Sequence, residues 1–351
     1  MGEGKRVALG MSGGVDSSVS VALLQRHGYE VLGVTCVFQH NVAARAAVAG
    51  AREVCDAFGV EHVAFECAEA FERCVVAPFV SDYAAGLTPS PCVGCNARAK
   101  LPALFEAAAA HGCERVATGH YARVAQMQDT GRFAVLQALD HRKDQSYMLS
   151  QLSQEQLSRL VLPLGGMTKL EVRAIAADLG LAVADTPDSQ DICFAPRGYR
   201  ELLAERGVES EPGDIVDARG NVVGRHTGLA DYTVGQRKGI GVAGPEPYYV
   251  LEKRVSDNAL VIGTADESLI RAVVVSGLNW QAIEPHATSL DAMVKLRYRS
   301  EPCPCIITFM DVCCARVDLC SPQPATAPGQ HAVFYQGATV LGGGVIEEVA
   351  R

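Results

Sequence analysis

Val7-Ala8-Leu9-Gly10-Met11-Ser12-Gly13-Gly14-Val15-Asp16-Ser17-Ser18 decides how this chain is read. A short apolar run suited to a buried strand stops at a Ser-Gly-Gly turn, and a helix-compatible stretch follows to about Gln25. Two adjacent glycines let backbone N–H groups approach an anion with no Cβ in the way. A helix start adds unpaired N–H donors and the positive end of its dipole. Ser12, Ser17 and Ser18 add hydroxyls. A Gly-Gly turn alone suits many strand–helix junctions, but Ser-Gly-Gly-x-Asp-Ser-Ser in this position favours a pyrophosphate cradle, one without the lysine of a Walker loop. Asp16 beside phosphate then needs a cation or an orienting role.

Outward from this segment, residues 1–120 alternate strand and helix. Strands are predicted at 5–10, 30–37, 61–66 and 114–119, and helices at 14–27, 42–58, 68–85 and 96–111. Regular alternation implies an α/β fold: a parallel sheet with helices on both faces and ligands at the carboxyl ends of its strands. Ser12 to Ser18 and Thr118-Gly119-His120 both fall at such ends. Residues 121–139 read as a hairpin turning at Asp129-Thr130-Gly131. Helical pattern returns at 143–160 and 168–180, the latter opening with the capping box Thr168/Glu171. Near 207 the composition shifts to short Gly- and Val-rich strands. The expected division is a catalytic α/β domain over 1–206, a small central domain over 207–267 and a C-terminal β-barrel over 268–351.

The 351 residues suffice for two or three domains, and 48% hydrophobic with 20% charged residues is a globular balance. No apolar run reaches membrane-span length. Arg6 breaks a myristoylation pattern, and the chain passes into its first strand too early for a signal peptide, so a cytoplasmic protein is expected. Thirteen cysteines cannot all pair, which predicts buried thiols with a few catalytic ones. A net charge of −9 opposes nucleic-acid binding globally but leaves a local basic patch open.

A second stretch, Thr88-Pro89-Ser90-Pro91-Cys92-Val93-Gly94-Cys95-Asn96, carries two prolines. They predict an ordered loop entering the helix 96–111, with Cys95 at the helix start, where the dipole lowers a thiol pKa. Cys95 is then a nucleophile candidate. Cys92-x-x-Cys95 also reads as half a zinc site or a redox pair, although Cys303-x-Cys305 and Cys313-Cys314 have the wrong spacing for the other half. A third stretch, Asp188-Ser189-Gln190-Asp191-Ile192-Cys193-Phe194, reads by itself as a strand with a buried thiol.

The first segment resembles the PP-loop of ATP pyrophosphatases, and the ensemble resembles the tRNA-specific 2-thiouridylases of the MnmA type nearly end to end. The resemblance runs through Gly10 to Ser17, Cys95-Asn96, Ala117-Thr118-Gly119-His120-Tyr121-Ala122 and Lys143-Asp144-Gln145-Ser146-Tyr147. It continues in Ser189-Gln190-Asp191-Ile192-Cys193-Phe194, Gly228-Leu229, Tyr232 to Gly239, Leu296-Arg297-Tyr298-Arg299 and Leu341-Gly342-Gly343-Gly344.

The resemblance implies an adenine-nucleotide alpha-hydrolase-like catalytic domain that adenylates the C2 oxygen of a wobble uridine and replaces it with sulfur. ATP, with Mg²⁺, would be bound by Gly10, Met11, Ser12, Gly13, Gly14, Val15, Asp16 and Ser17, with Cys36 and Gly119 near the adenine. Cys95 would be the nucleophile and Cys193 the persulfide carrier, exchanging through a transient disulfide. His120, Lys143, Asp144, Gln145, Arg297, Tyr298 and Gln336 would contact tRNA. Ser90, Pro91 and Cys92 would face the target base. The implied partners are tRNA and a persulfide sulfur donor, either a cysteine desulfurase or a sulfur-relay protein.

The chain departs from the family in three places. Cys36 stands where methionine is common, Ser90-Pro91-Cys92 stands where Asn-Pro-Asp is usual, and 39–52 lacks acidic residues. Two rival readings are a PP-loop enzyme acting on a small molecule, which would need no cysteine pair, and a zinc-dependent RNA-binding module.

Overall fold

The computed structural model describes residues 5–181, 192–208, 210–284 and 288–351. Strands β1 (Arg6–Gly10), β2 (Glu30–Val37), β3 (Glu61–Glu66), β4 (Arg115–Ala117) and a short later strand at Leu160–Val161 form one parallel sheet. Its order places β1 centrally, with β2 then β3 on one side and β4 on the other. The chain therefore changes direction across the sheet between β1 and β4, the position where such sheets leave a crevice at their carboxyl edge. Helix α1 (Val15–Arg26) follows β1, and α2 (Val42–Ala57) follows β2, capped by Asn41, whose side chain accepts from Ala44 N–H.

The predicted strands and the first two helices lie where the hydrophobic pattern puts them. Residues 68–84 form one continuous helix with a widened π turn at Glu72–Val76. The predicted helix 96–111 differs: it begins at Pro91 and runs to Ala110, with a second π turn at Asn96–Lys100. Proline suits the first helical position, where its missing N–H has no intrahelical partner and its φ is preset, so Pro91 opens the helix. The capping box at Thr168/Glu171 is present, with both reciprocal bonds made.

The hairpin at 121–139 forms from Ala122–Gln126 and Phe133–Gln137, but it also joins the C-terminal sheet through the pairing of Leu136 with Thr339. Six strands between Leu269 and Ala350 build that sheet with the hairpin, and the first and last of them (Leu269–Trp280 and Thr339–Ala350) pair to close a barrel. Closure explains Gly342-Gly343-Gly344. A Cβ at Gly342 would stand 2.4 Å from the Asn279 carbonyl oxygen, and one at Gly344 the same distance from that of Ser276. The central four-stranded sheet (213–263) shares one apolar core with the barrel, Ile215, Val250 and Leu260 packing with Val273, Val294 and Phe334.

The barrel is also keyed to the catalytic sheet. Val333, Tyr335 and Val340 pack in the core that holds Ala8, Leu32 and Tyr147. Buried Gln281 donates to Leu149 O at 2.8 Å and accepts from Val135 N–H at 3.2 Å. The Arg132 guanidinium, at the hairpin turn, donates to Trp280 O, Gln281 O and Glu284. The loop before Pro91 is tied down in the same way: Thr88 N–H donates to Pro328 O at 2.9 Å, and Gln330 Nε2 donates to Thr88 O at 2.7 Å. Thus the C-terminal domain fixes a loop that leads straight to Cys92 and Cys95.

Candidate active site

The loop after β1 forms a cradle. Gly13 has φ +75°, a left-handed conformation that a side chain would strain. Gly14 precedes α1 in extended geometry and no described side chain caps the helix start, so the first N–H groups of α1 are available to a ligand. Ser12 Oγ lies 3.3 Å from Ser17 Oγ, and the Ser12 N–H points to the same Ser17 hydroxyl. Ser18 does not belong to the cradle: it is fully buried and donates to Gly14 O at 2.9 Å. The side chains of Met11 and Val15 are core groups, so these positions offer only backbone. Gly119 closes over the other side. A Cβ there would lie 3.2–3.3 Å from Asp16 and the Ser17 nitrogen, closer than side chains normally pack.

Asp16 has its cation. Lys169 Nζ, from the helix Lys169–Asp178, bonds both carboxylate oxygens at 2.7 and 2.8 Å, and Tyr121 donates its phenolic proton to Oδ1 at 2.8 Å. Neither Lys169 nor Tyr121 was assigned to the site from the sequence. Tyr121 lies within a quoted motif, but nothing in the spacing ties Lys169 to a residue so far upstream.

The thiols form the second half of the site. Phe194 inserts into an aromatic cluster, meeting Phe71 and Phe79 edge-on at centroid distances of 5.6 and 5.1 Å. Cys95 and Ile192 pack against that same cluster. The expected buried strand at Ile192-Cys193-Phe194 is therefore a turn in which Phe194 is buried and Cys193 is exposed. Residues 188–191 of that motif lie outside the described residues. Cys193 acts electrostatically on both Cys92 and Cys95, and Cys95 on Cys36 at the end of β2.

The low thiol pKa expected at Cys95 is not what the structure gives. Because the helix starts at Pro91, Cys95 lies beyond the first turn, where the dipole field has fallen off. Burial pushes its thiol up to about 12, opposed mainly by the Lys100 ammonium. Cys92 and Cys193 reach solvent at the rim, yet the surrounding protein displaces enough water to push both thiols up. Cys36 moves the other way: a hydrogen bond from Cys67, the largest influence, lowers it, and Lys100 helps. No group of three or more His, Cys, Asp or Glu side chains among the described residues is arranged to hold a metal ion, so Cys92 and Cys95 have no partners there for a zinc site.

The positions expected to meet tRNA divide into two kinds. Asp144 is buried and accepts from Ala138 N–H, Ser146 N–H and the Ser146 hydroxyl; it holds a turn. Gln145 exchanges bonds with the Tyr121 backbone, and His120 is buried with Nδ1 2.8 Å from the Thr118 hydroxyl oxygen, burial lowering its pKa well below the usual value. Arg297 is half-buried and donates to Val234 O at 2.8 Å. Lys143 is half-exposed and Gln336 exposed at a barrel turn. Tyr298 is half-buried, its ring 5.9 Å from that of Tyr147 and within electrostatic reach of Asp144 and Cys92. Tyr147 donates its phenolic proton to His331 O at 2.9 Å, and Ser90, two residues before Cys92, also favours the ionised phenol, against the burial that raises it.

Comparison with known proteins matches each part of the chain. Residues 5–197 match the family described as the tRNA methyl transferase HUP domain, 200–264 its PRC-barrel domain, and 270–346 the aminomethyltransferase beta-barrel domain. The tRNA-specific 2-thiouridylase MnmA of Carboxydothermus hydrogenoformans is 42% identical, covering 98% of both chains. That of Chloroflexus aurantiacus is 45% identical over 97% of this chain and 98% of its own. Among solved structures, the U34-tRNA thiolase NcsA from Methanococcus maripaludis is similar over 58% of this chain and 64% of its own, with 17% identity and a TM-score of 0.36. A family model that matches more than half of the chain, and relatives more than 40% identical from end to end, place the chain in the family of tRNA-specific 2-thiouridylases.

Proposed function

We propose that this chain is an ATP-dependent tRNA sulfurtransferase that converts the wobble uridine to 2-thiouridine. The observation that carries the reading is the meeting of Cys95 with the turn that holds Cys193: Cys95, Ile192 and Phe194 share one cluster with Phe38, just past the carboxyl end of β2, and Cys193 acts electrostatically on Cys95. The C2 carbonyl of uridine is a poor electrophile without a leaving group. Its oxygen attacks the α-phosphate of ATP, an O–P bond forms and pyrophosphate departs, its charge held by the N–H groups at the start of α1. The residues present fit ATP: no Cβ at Gly13 or Gly14 obstructs the path, and Gly119 leaves room beside Asp16. Mg²⁺ would be brought by the nucleotide and would neutralise phosphate charge, since both Asp16 oxygens are engaged by Lys169.

The terminal sulfur of a Cys193 persulfide then attacks C2, and AMP leaves. The Cys95 thiolate attacks the Cys193 sulfur, forming a Cys95–Cys193 disulfide and releasing the thiocarbonyl product. If Cys95 instead first frees hydrosulfide from the persulfide, the same disulfide forms. A thiol reductant supplies the two electrons that reset it, and a persulfide donor reloads Cys193. The exposure of Cys193 suits reloading by a donor protein, while half-buried Cys95 is kept from that exchange. The target base must leave its stack to reach this pocket.

The test is incubation with tRNA, ATP, Mg²⁺ and a persulfide donor, followed by nucleoside mass analysis. Wild type forms 2-thiouridine, Cys95→Ser and Cys193→Ser form none, and only Cys193→Ser loses the protein-bound persulfide. A Cys95→Ser variant that still turns over ATP on a small amide-forming substrate would favour the rival PP-loop chemistry instead.

A further inference from the structure

Lys100 ends the π turn that follows Cys95. In an ordinary α-helix residues five apart point in different directions. Here the turn is widened, Leu101 N–H returning to Asn96 O, and the Lys100 backbone N–H faces the Cys95 sulfur. The Lys100 side chain is half-buried and lies within electrostatic range of four thiols on three parts of the chain: Cys36 at the end of β2, Cys92 and Cys95 on its own helix, and Cys193 in the turn at 192–195. It pairs with no carboxylate among the described residues. Among the described residues, the other ionisable groups that act in this region are His120, whose pKa burial lowers, Tyr298 near Cys92, Cys67 beside Cys36, and Glu66 and Glu106, which act on Cys67. An ammonium among thiols, with no carboxylate partner among the described residues, has sulfur as its counter-charge.

We propose that the Lys100 ammonium is the counter-ion of the sulfur anion in this site, holding Cys95 as the attacking thiolate and steadying the Cys193 persulfide as it gives up its terminal sulfur. The role rests on the two-thiol reading above. Cys95 loses its proton to water, and no bond forms to Lys100, which stays charged throughout. Burial opposes the thiolate, and Lys100 is the largest influence in its favour. The π turn is the device that aims both the cation and a backbone donor at one sulfur.

Alkylation tests this without tRNA or ATP. The full chain, as wild type, Lys100→Met and Lys100→Arg, is treated with iodoacetamide at pH 8 and 9. Modification at Cys95 is read by fragment mass spectrometry and normalised to exposed Cys313 in the barrel. Lys100→Met keeps the aliphatic stem and should slow Cys95 about tenfold, the effect of one pKa unit, while Lys100→Arg restores most of the rate. Equal Cys95 rates in wild type and Lys100→Met, with unchanged melting, overturn the proposal. If Lys100→Met does not fold, Lys100→Gln is compared with Lys100→Arg by the same criterion. Failure of the underlying two-thiol reading would show separately, as tRNA thiolation that survives Cys95→Ser.

Discussion

Lys169 Nζ grips both carboxylate oxygens of Asp16, at 2.7 and 2.8 Å, and so ties down the first turn of the helix that follows the Ser-Gly-Gly loop. The lysine side chain is 10% exposed and the aspartate 32%, so water screens the pair only in part. Lys169→Met leaves Asp16 with a cation removed and should cost about 2 kcal/mol, less than the loss from a fully buried pair. Urea unfolding reads the stability and nucleotide titration reads the site. ATP affinity should fall with it, because Asp16 positions the same turn that presents the N–H groups. Asp16→Asn/Lys169→Met should recover stability but not ATP binding; recovery of both would make the pair a purely structural brace.

Gly13→Val tests the cradle. At φ +75° a β-branched residue is strained by about 1–3 kcal/mol, and its side chain would enter the phosphate path. The variant should fold, with a lowered melting temperature, and show no ATP-dependent pyrophosphate release. Normal ATP consumption by the folded variant would remove the loop from the mechanism.

For tRNA, Lys143→Ala is the cleaner probe. It should weaken binding and reduce the log–log salt slope by about one unit, the loss of one phosphate contact, with ATP binding unchanged. Arg297→Ala should also lose protein stability, about 1 kcal/mol, since Arg297 bonds Val234 O and packs against Gly235. A salt slope equal to wild type in Lys143→Ala would return that residue to the general surface.

Lys253 makes stability depend on alkaline pH. Its ammonium is buried, donates to Leu87 O at 3.1 Å and lies 5.5 Å from the Tyr83 ring centroid; burial pushes its pKa down to about 8. The unfolded value is about 10.4, so between these limits the unfolded chain holds a proton that the folded chain has released. Stability from this group therefore rises with pH from about 8 to about 10.4 and is flat below. Tyr83 is pushed above its usual range and stays neutral through that window. Lys253→Met should gain about 2 kcal/mol at pH 7, once the lost bond to Leu87 is set against relief of the buried charge, and should flatten the rise. Urea midpoints at pH 7, 8, 9 and 10 measure both; a variant that keeps the wild-type slope would point to another group.

The parallel sheet and the glycine turn that follows its first strand were legible locally, whereas the strand order was not. Alternating apolar runs, the Ser-Gly-Gly turn and the Thr168/Glu171 box act over a few residues, where sequence spacing and physical spacing coincide. The prolines near Cys95 were misread for the same local reason. Proline disfavours helix for the residue before it but suits the first helical position, and only the packing of residues 91–110 against the sheet decides which applies.

What the sequence determined by itself was the fold class and the family, because motif order and hydrophobic period survive without coordinates. Tertiary structure alone decided the environment of Asp16 and of the thiols. It supplied Lys169 as the partner of Asp16, the docking of the 88–90 loop on the barrel, the burial that raises Cys95 and the Lys100 ammonium that opposes it. Charge and desolvation act through space, between residues whose separation along the chain carries no information about their distance in the fold.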